Sequence, residues 1–298
     1  ALNKRINFKG SNLYVTLEPC THFGQTPPCT NLINKKKIKK VYYSFNDPDI
    51  RTNKKAKKVL KNVVKLHYPK NENFDFYQSY FINQKKKFPL IDAKVAISKD
   101  FFTIRKKSQW ITNKRSRRVA HLIRSQYNCI ISTAKSINKD NSLLNCRING
   151  LDNHKPDLMI IDRDLKLKKK LEFLNHSNRR KTYIFTQSND KRKISFFKKK
   201  GVKIIKINNL ENKNDFVDLF QKIFKIGNGR ILIESGLIFL NKLFNLKLIN
   251  NLYLFRTDEL LGKNGYNNCS VNFIKKLKLK RLINVNLHND SLYKIKVK

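Results

Sequence analysis

Apolar runs alternate with amphipathic stretches along the whole chain, and this rhythm limits the fold more than any other feature. Residues 13–17, 41–45, 63–68, 90–98, 128–132, 158–161, 183–185, 202–207, 230–233 and 252–255 read as strands. Between them lie segments of helical period. Pro27-Pro28 opens a short helix to about residue 36, with Thr26 as its expected cap. Residues 54–61 and 74–83 read as helices, as do 215–225 and 237–246. Thr112 is the expected cap of a further helix running to about residue 125, with Val119, Leu122 and Ile123 on its apolar face. Strand and helix in alternation predict the α/β class. The run Lys85-Lys86-Lys87-Phe88-Pro89 marks the expected boundary between a domain over 1–86 and one over 87–298. No internal repeat is visible.

The formal charge of +44 invites a nucleic-acid reading, but the lysines are spread over the whole chain among abundant Asn and Ile. That mixture is what a strongly AT-rich genome would encode, and no confined basic stripe marks a specific nucleic-acid footprint. Anionic, phosphorylated small molecules are the better-matched ligands. No run of about eighteen apolar residues predicts a membrane span. The first residues, starting at Ala1, show no secretory pattern. Five cysteines, an odd number, then point to a reducing, cytoplasmic setting, with metal ligation or burial ahead of disulfides.

The densest motif is Glu18-Pro19-Cys20-Thr21-His22-Phe23-Gly24-Gln25-Thr26-Pro27-Pro28-Cys29. Its two cysteines follow a strand and open a helix, where free backbone N–H groups favour thiolates. Thiolates bind zinc. In zinc deaminases the metal acidifies a water that attacks the ring carbon bearing the amine, while a Glu shuttles protons.

Tyr14-Val15-Thr16-Leu17-Glu18-Pro19-Cys20-Thr21-His22, followed by Thr26-Pro27-Pro28-Cys29, resembles the deaminase half of the bifunctional riboflavin-biosynthesis proteins. The resemblance implies that Cys20 and Cys29 ligate Zn2+ and that His22 contacts the substrate. Asn46-Asp47-Pro48-Asp49 resembles a segment lining that pocket. Gln25 stands where the family has a basic residue. The family's His-Ala-Glu motif, which supplies the third ligand and the proton shuttle, would fall upstream of Ala1. The chain as given is therefore expected to bind zinc weakly or not at all, and not to deaminate.

The resemblance continues through the second half. Lys94-Val95-Ala96-Ile97-Ser98-Lys99-Asp100 is similar to the first strand of the reductase domain, with Lys99 and Phe101 departing from Ser-Leu-Asp-Gly. Ser108-Gln109-Trp110-Ile111-Thr112 is a close match. Asp140 to Arg147 resembles Asp-Asp-Pro-x-Leu-Thr-x-Arg, with Asn141 and Ser142 replacing the second Asp and the Pro. Ile231-Leu232-Ile233-Glu234-Ser235-Gly236 ends a strand in Glu-x-Gly, and Glu259-Leu260-Leu261-Gly262 matches a later segment. By resemblance, Ala96, Trp110, Ser136, Asp140 and Gly236 hold NADPH. Ser108, Arg124, Leu144, Arg147 and Glu234 hold the substrate, with both arginines on its phosphate. The implied architecture is a partial cytidine-deaminase-like three-layer domain followed by a dihydrofolate-reductase-like domain. Gly-x-Gly-x-x-Gly follows no strand, in keeping with a non-Rossmann fold.

The implied chemistry is deamination of a diaminopyrimidinone carrying a ribosyl phosphate, then NADPH reduction of the ribosyl group to ribityl. A homo-oligomer is implied as well. Two rivals are a reductase with a vestigial deaminase half, separated by the residues ahead of Ala1, and a nucleic-acid-binding or base-deaminating module, separated by the salt dependence of RNA binding.

Overall fold

The computed structural model describes residues 7–66, 74–106, 110–151, 155–269, 274, 277–279 and 281–297. The chain divides into two compact units, Ala1–Lys87 and Phe88–Lys298.

The first unit runs β1 (Asn12–Leu17), α1 (Cys29–Lys35), β2 (Lys40–Phe45), α2 (Ala56–Val59), β3 (Val63–Lys65) and α3 (Phe74–Lys86). Its three strands pair in parallel in the order β1-β2-β3. Ile33, Val41 and Leu60 form a small core. Residues 67 and 68 of the expected third strand lie outside those described. Thr26 is not the cap of α1. Pro28 holds that position, with no side-chain cap bond. The expected helix over 54–61 shrinks to α2, since Lys54 takes a left-handed φ of 59°.

The second unit begins with β4 (Leu90–Ile97), β5 (Phe102–Arg105), α4 (Lys114–Ser125), β6 (Cys129–Thr133), α5 (Ala134–Asp140) and β7 (Asp157–Ile161). It continues through β8 (Thr182–Thr186), α6 (Lys191–Lys199), β9 (Lys203–Lys206), α7 (Lys213–Lys225) and β10 (Arg230–Ile233). It closes with α8 (Leu237–Asn245), β11 (Asn251–Thr257), β12 (Gly265–Asn268) and β13 (Asp290–Lys296). One sheet has the order β13-β11-β4-β10-β6-β7-β8-β9. Every pairing in it is parallel except β11 with β13. β5 and β12 form a separate antiparallel ribbon.

Parallel strands are covered on both faces and so read as continuous apolar runs. The alternation within each run shows it. Ile91, Ala93, Ile131, Met159, Phe185, Ile231 and Leu254 join one core with α7 and α8, through Phe216, Phe220 and Leu240. Ile130, Leu158, Ile160, Ile184, Leu232 and Phe255 join the other with α4, α5 and α6, through Ile123, Ile137 and Phe197.

Two local details differ from expectation. The cap of α4 is Asn113, not Thr112: its side-chain oxygen accepts from Ser116 N–H at 3.0 Å, and its amide donates to Leu287 O at 2.6 Å. Asn113→Ala is therefore expected to cost about 0.5–2 kcal/mol in urea unfolding, with Thr112→Ala near neutral. On the same helix Leu122 is exposed, and the buried face is Ser116, Ala120 and Ile123. At the other departure, Phe101 takes the left-handed conformation that favours glycine. It adopts φ 69° itself, donates to Ser98 O at 3.0 Å, and packs its ring on the core.

Candidate active site

β4 buries two charges inside an apolar run. Alternation puts Asp92, Lys94 and Ala96 on the face toward α4. Asp92 is spent structurally: it accepts from Tyr127 Oη at 2.5 Å and from Asn251 N–H and Nδ2 at 3.0 and 2.8 Å. Lys94 has a different partner. β10 runs beside β4 with Leu232 opposite Asp92 and Ile233 opposite Ala93, so Glu234 emerges at the strand end next to Lys94.

Glu234 Oε2 lies 2.9 Å from Lys94 Nζ. Arg124 reaches down from α4 and donates bidentately, Nε to Oε1 at 2.6 Å and Nη2 to Oε2 at 2.9 Å. The side chains of Glu234, Arg124 and Lys94 are 6%, 12% and 18% exposed, so the triad is largely desolvated. Burial alone would raise the Glu234 carboxyl. The charges and hydrogen bonds of Arg124 and Lys94 outweigh it and hold the group well below the usual carboxylate range. One anion faces two cations here.

The loop after α5 adds a third. Asn141 ends α5 in the left-handed region, φ 44°, which asparagine tolerates, and its side chain accepts from Glu172 N–H at 2.9 Å. The loop is thus anchored although Asn141 and Ser142 depart from the family pattern. Leu144, at φ 48°, buries its side chain in the core and leaves only its backbone for a ligand. Arg147 is exposed and donates to Asn145 Oδ1 at 2.8 Å. Among the described residues its guanidinium meets no carboxylate.

His121 sits between α4 and this loop. Its Nδ1 lies 2.8 Å from Asn145 O and 3.2 Å from Arg147 N. A ring nitrogen cannot both donate and accept, and the shorter carbonyl contact makes Nδ1 the donor of a neutral ring. Burial, then the charges of Arg124 and Arg147, bring its pKa from 6.5 down to about 4. The unfolded chain therefore binds the extra proton between those values, so stability rises with pH across that window. Tm is expected to fall as pH drops from 6.5 to 4, and His121→Asn to flatten that fall. An unchanged slope in the variant would contradict the assignment.

Ser136 and Gly236 also meet. Gly236 N–H donates to Ser136 Oγ at 3.0 Å, and Thr133 Oγ1 lies 3.1 Å from the same oxygen. Gly236 is the N-cap of α8, whose first turn has no side-chain cap bond and no acidic residue. Such a helix entrance, two residues from Glu234 at the carboxyl ends of parallel strands, fits a phosphate-bearing cofactor. Asp140 stands at the last turn of α5.

Trp110 lies elsewhere. It is half-exposed, carries the Arg117 guanidinium over its ring at 4.6 Å, and lines a cavity of about 370 Å3 with Arg105, Thr257 and Glu259. Glu234, Arg124, Ser136 and Gly236 do not line it. Ser108 lies outside the described residues.

In the first unit, Cys20 and Cys29 come together: Cys29 N–H donates to Cys20 Sγ at 3.1 Å. The helix entrance does not lower the Cys29 thiol, contrary to expectation. Burial and then the neighbouring Cys20 thiol raise it. Glu18 is committed to the backbone, accepting from the N–H groups of Asp47, Lys54 and Ala56 at 3.2, 2.9 and 3.0 Å. His22 Nδ1 pairs with Thr52 Oγ1 at 2.9 Å. Asp47 accepts from Asp49 N–H and Tyr80 Oη, both at 2.9 Å, while Asp49 forms a fork with Arg51. Among the described residues no three His, Cys, Asp or Glu side chains group around a metal position. Two sulfurs alone do not make a closed zinc centre.

The model of the RibD C-terminal domain matches residues 89–291. The chain belongs to the RibD C-terminal domain family. A riboflavin biosynthesis protein RibD from Aquifex aeolicus is 28% identical over 260 residues, 86% of this chain and 71% of the relative. Its counterpart from Bacillus amyloliquefaciens is 31% identical over 202 residues, 66% and 54% of the two chains. Among solved structures, a diaminohydroxyphosphoribosylaminopyrimidine deaminase/5-amino-6-(5-phosphoribosylamino)uracil reductase from Thermotoga maritima superposes with TM-score 0.80 at 23% identity, covering 98% of this chain and 81% of that one. A riboflavin biosynthesis reductase from Saccharomyces cerevisiae superposes with TM-score 0.57 at 18% identity, covering 76% and 99%. At these identities the structural matches speak for the fold. The second unit of this RibD-family chain has the α/β fold of the RibD C-terminal domain. No helix among the described residues is long and apolar enough to cross a membrane.

Sequence reasoning missed Lys94 and His121 as members of the site. The signal for Lys94 was present: a lysine and an aspartate inside Leu90–Ile97 can be buried only if paired. His121 carried none, because its partner is a backbone carbonyl.

Proposed function

We propose that this chain catalyses the reductase step of riboflavin biosynthesis, converting the ribosyl group of a ribosylamino-uracil phosphate to ribityl with NADPH. The observation that carries the reading is the imbalance of charge at the strand ends, where Lys94 and Arg124 pair with Glu234, Arg147 on the neighbouring loop meets no carboxylate among the described residues, and the entrance of α8 is uncapped. NADPH supplies the hydride. Gly236, Ser136 and Asp140 would hold it, with Ala96 on β4; Trp110, in the separate cavity, is assigned to the cofactor by the family resemblance alone. Arg147 and Arg124 receive the substrate phosphate, a geometry the planar guanidinium suits. Glu234, fixed by Lys94 and Arg124, orients the sugar, and Leu144 offers its backbone N–H, its carbonyl being taken by Arg180. Ser108 completes the substrate set. Alignment of donor and acceptor, with no covalent catalyst, is the protein's contribution.

For the first unit the reading is a partial pyrimidine-deaminase domain over 1–86, in which Cys20 and Cys29 supply two sulfur donors toward Zn2+ and His22 faces the substrate. This supports only a reductase activity for the chain as it stands. Treatment with a strong zinc chelator is accordingly expected to leave NADPH oxidation unchanged, and Cys20→Ser likewise. Loss of oxidation on chelation would contradict the division of labour. The reading as a whole is tested by NADPH oxidation on the ribosylamino-uracil substrate with and without its phosphate: turnover should be fastest with the phosphate and slower, though still measurable, without it. A nucleic-acid module predicts no such oxidation.

A further inference from the structure

Leu143, Leu144 and Asn145 are consecutive, and side chains hold all three of their carbonyls. Arg180, just ahead of β8, donates to Leu143 O and, at 2.8 Å, to Leu144 O. It also reaches Pro156 O at 3.3 Å, at the rim of β7. His121 and Arg124 take Asn145 O at 2.8 and 3.1 Å. The strained φ of Leu144 persists only where its surroundings over-determine it, and these contacts do so. Among the described residues no carboxylate is hydrogen-bonded to Arg180. Burial, then the charge of Arg124, bring its pKa down to about 10, with Asp157 opposing. This guanidinium is spent wholly on backbone, and ordering of the loop is what offsets its desolvation.

We infer that Arg180 is a positioning residue: by clamping the carbonyls of Leu143, Leu144 and Pro156 it fixes the loop 143–147 and aims Arg147 at the substrate phosphate. It acts through Arg147 and touches no ligand itself. The inference rests on the reductase reading for its substrate, but not for the anion site. Lysine at position 180 keeps a donor that can reach part of the carbonyl set, whereas methionine keeps only the bulk.

Steady-state kinetics on the folded chain test it. Arg180→Met should raise KM for the ribosylamino-uracil phosphate by about tenfold or more, leaving kcat and the NADPH KM within about twofold. Arg180→Lys should recover part of the loss. In an Arg147→Ala background, Arg180→Met should add less than about twofold, because the two act as one unit. A purely structural role predicts instead a common rise in both KM values, or effects that multiply in the double variant. Either result, or an unchanged substrate KM, overturns the inference. A second arm uses inorganic phosphate alone. Phosphate should raise the Tm of the wild-type chain, and raise that of Arg180→Met less. Equal shifts, or none in the wild type, overturn the inference whether or not the chain oxidises NADPH. Absence of NADPH oxidation with a normal phosphate response overturns only the reductase reading.

Discussion

Glu234→Ala is expected to abolish NADPH oxidation and to destabilise the second unit by about 3–5 kcal/mol. The size follows from what is left behind. Arg124 and Lys94 are largely withdrawn from water around this one carboxylate, so its removal strands two buried cations. Glu234→Gln separates stability from activity. The amide keeps the shape and one acceptor, so the chain should fold with a smaller loss, yet the excess positive charge would no longer be fixed and turnover should remain low. Linkage gives an independent check. The folded carboxyl lies below its usual range, and the unfolded value is about 4.5. The stabilisation is complete above the unfolded value and is lost as pH falls through and below it. Acid unfolding of Glu234→Gln should therefore be less steep below about pH 4 than that of the wild type. A full-activity Glu234→Gln enzyme would remove Glu234 from the site.

Arg147→Ala carries the second large effect, and on activity alone. Arg147 is exposed, its guanidinium donates to the neutral Asn145 side chain, and it lies outside both cores. Urea unfolding should shift by no more than about 0.5 kcal/mol. A charge-assisted hydrogen bond to phosphate contributes about 1.5–3 kcal/mol, so kcat/KM for the phosphorylated substrate should fall by about 10–150-fold. The same substitution should hardly change turnover of a phosphate-free analogue. Equal losses on both substrates would place Arg147 away from the phosphate.

Much of this architecture was legible because the second unit is a parallel sheet buried on both faces. Every strand read from an apolar run, from Leu90 through Phe255, appears in it within a few residues. What was not legible has local reasons. β5 and β12 are partly exposed and carry no alternation, so the ribbon has no pattern to read. β13 breaks its apolar run with lysines at an antiparallel edge. The cap of α4 went to Asn113 because its amide is also tied to Leu287, a contact 174 residues away.

The site divides in the same way. Motif resemblance picked out Arg124, Arg147, Glu234, Ser136 and Gly236, and the fold brings Arg124 to Glu234 and Ser136 to Gly236. Resemblance could not show that Lys94 completes the ion triad, or that His121 and Arg180 hold the loop by carbonyls, because backbone acceptors leave no trace in side-chain identity. In the first unit the motif suggested thiols primed by a helix entrance. Each thiol instead lies against the other, and burial together with that contact governs Cys29.

The most direct measurement is the stoichiometry of the reaction on purified chain: NADPH consumed against ribityl product formed, followed by absorbance and mass spectrometry with the ribosylamino-uracil phosphate as substrate. One NADPH oxidised for each substrate that gains two hydrogens is the predicted result. A folded chain that consumes no NADPH, or consumes it without reducing the sugar, would contradict the account.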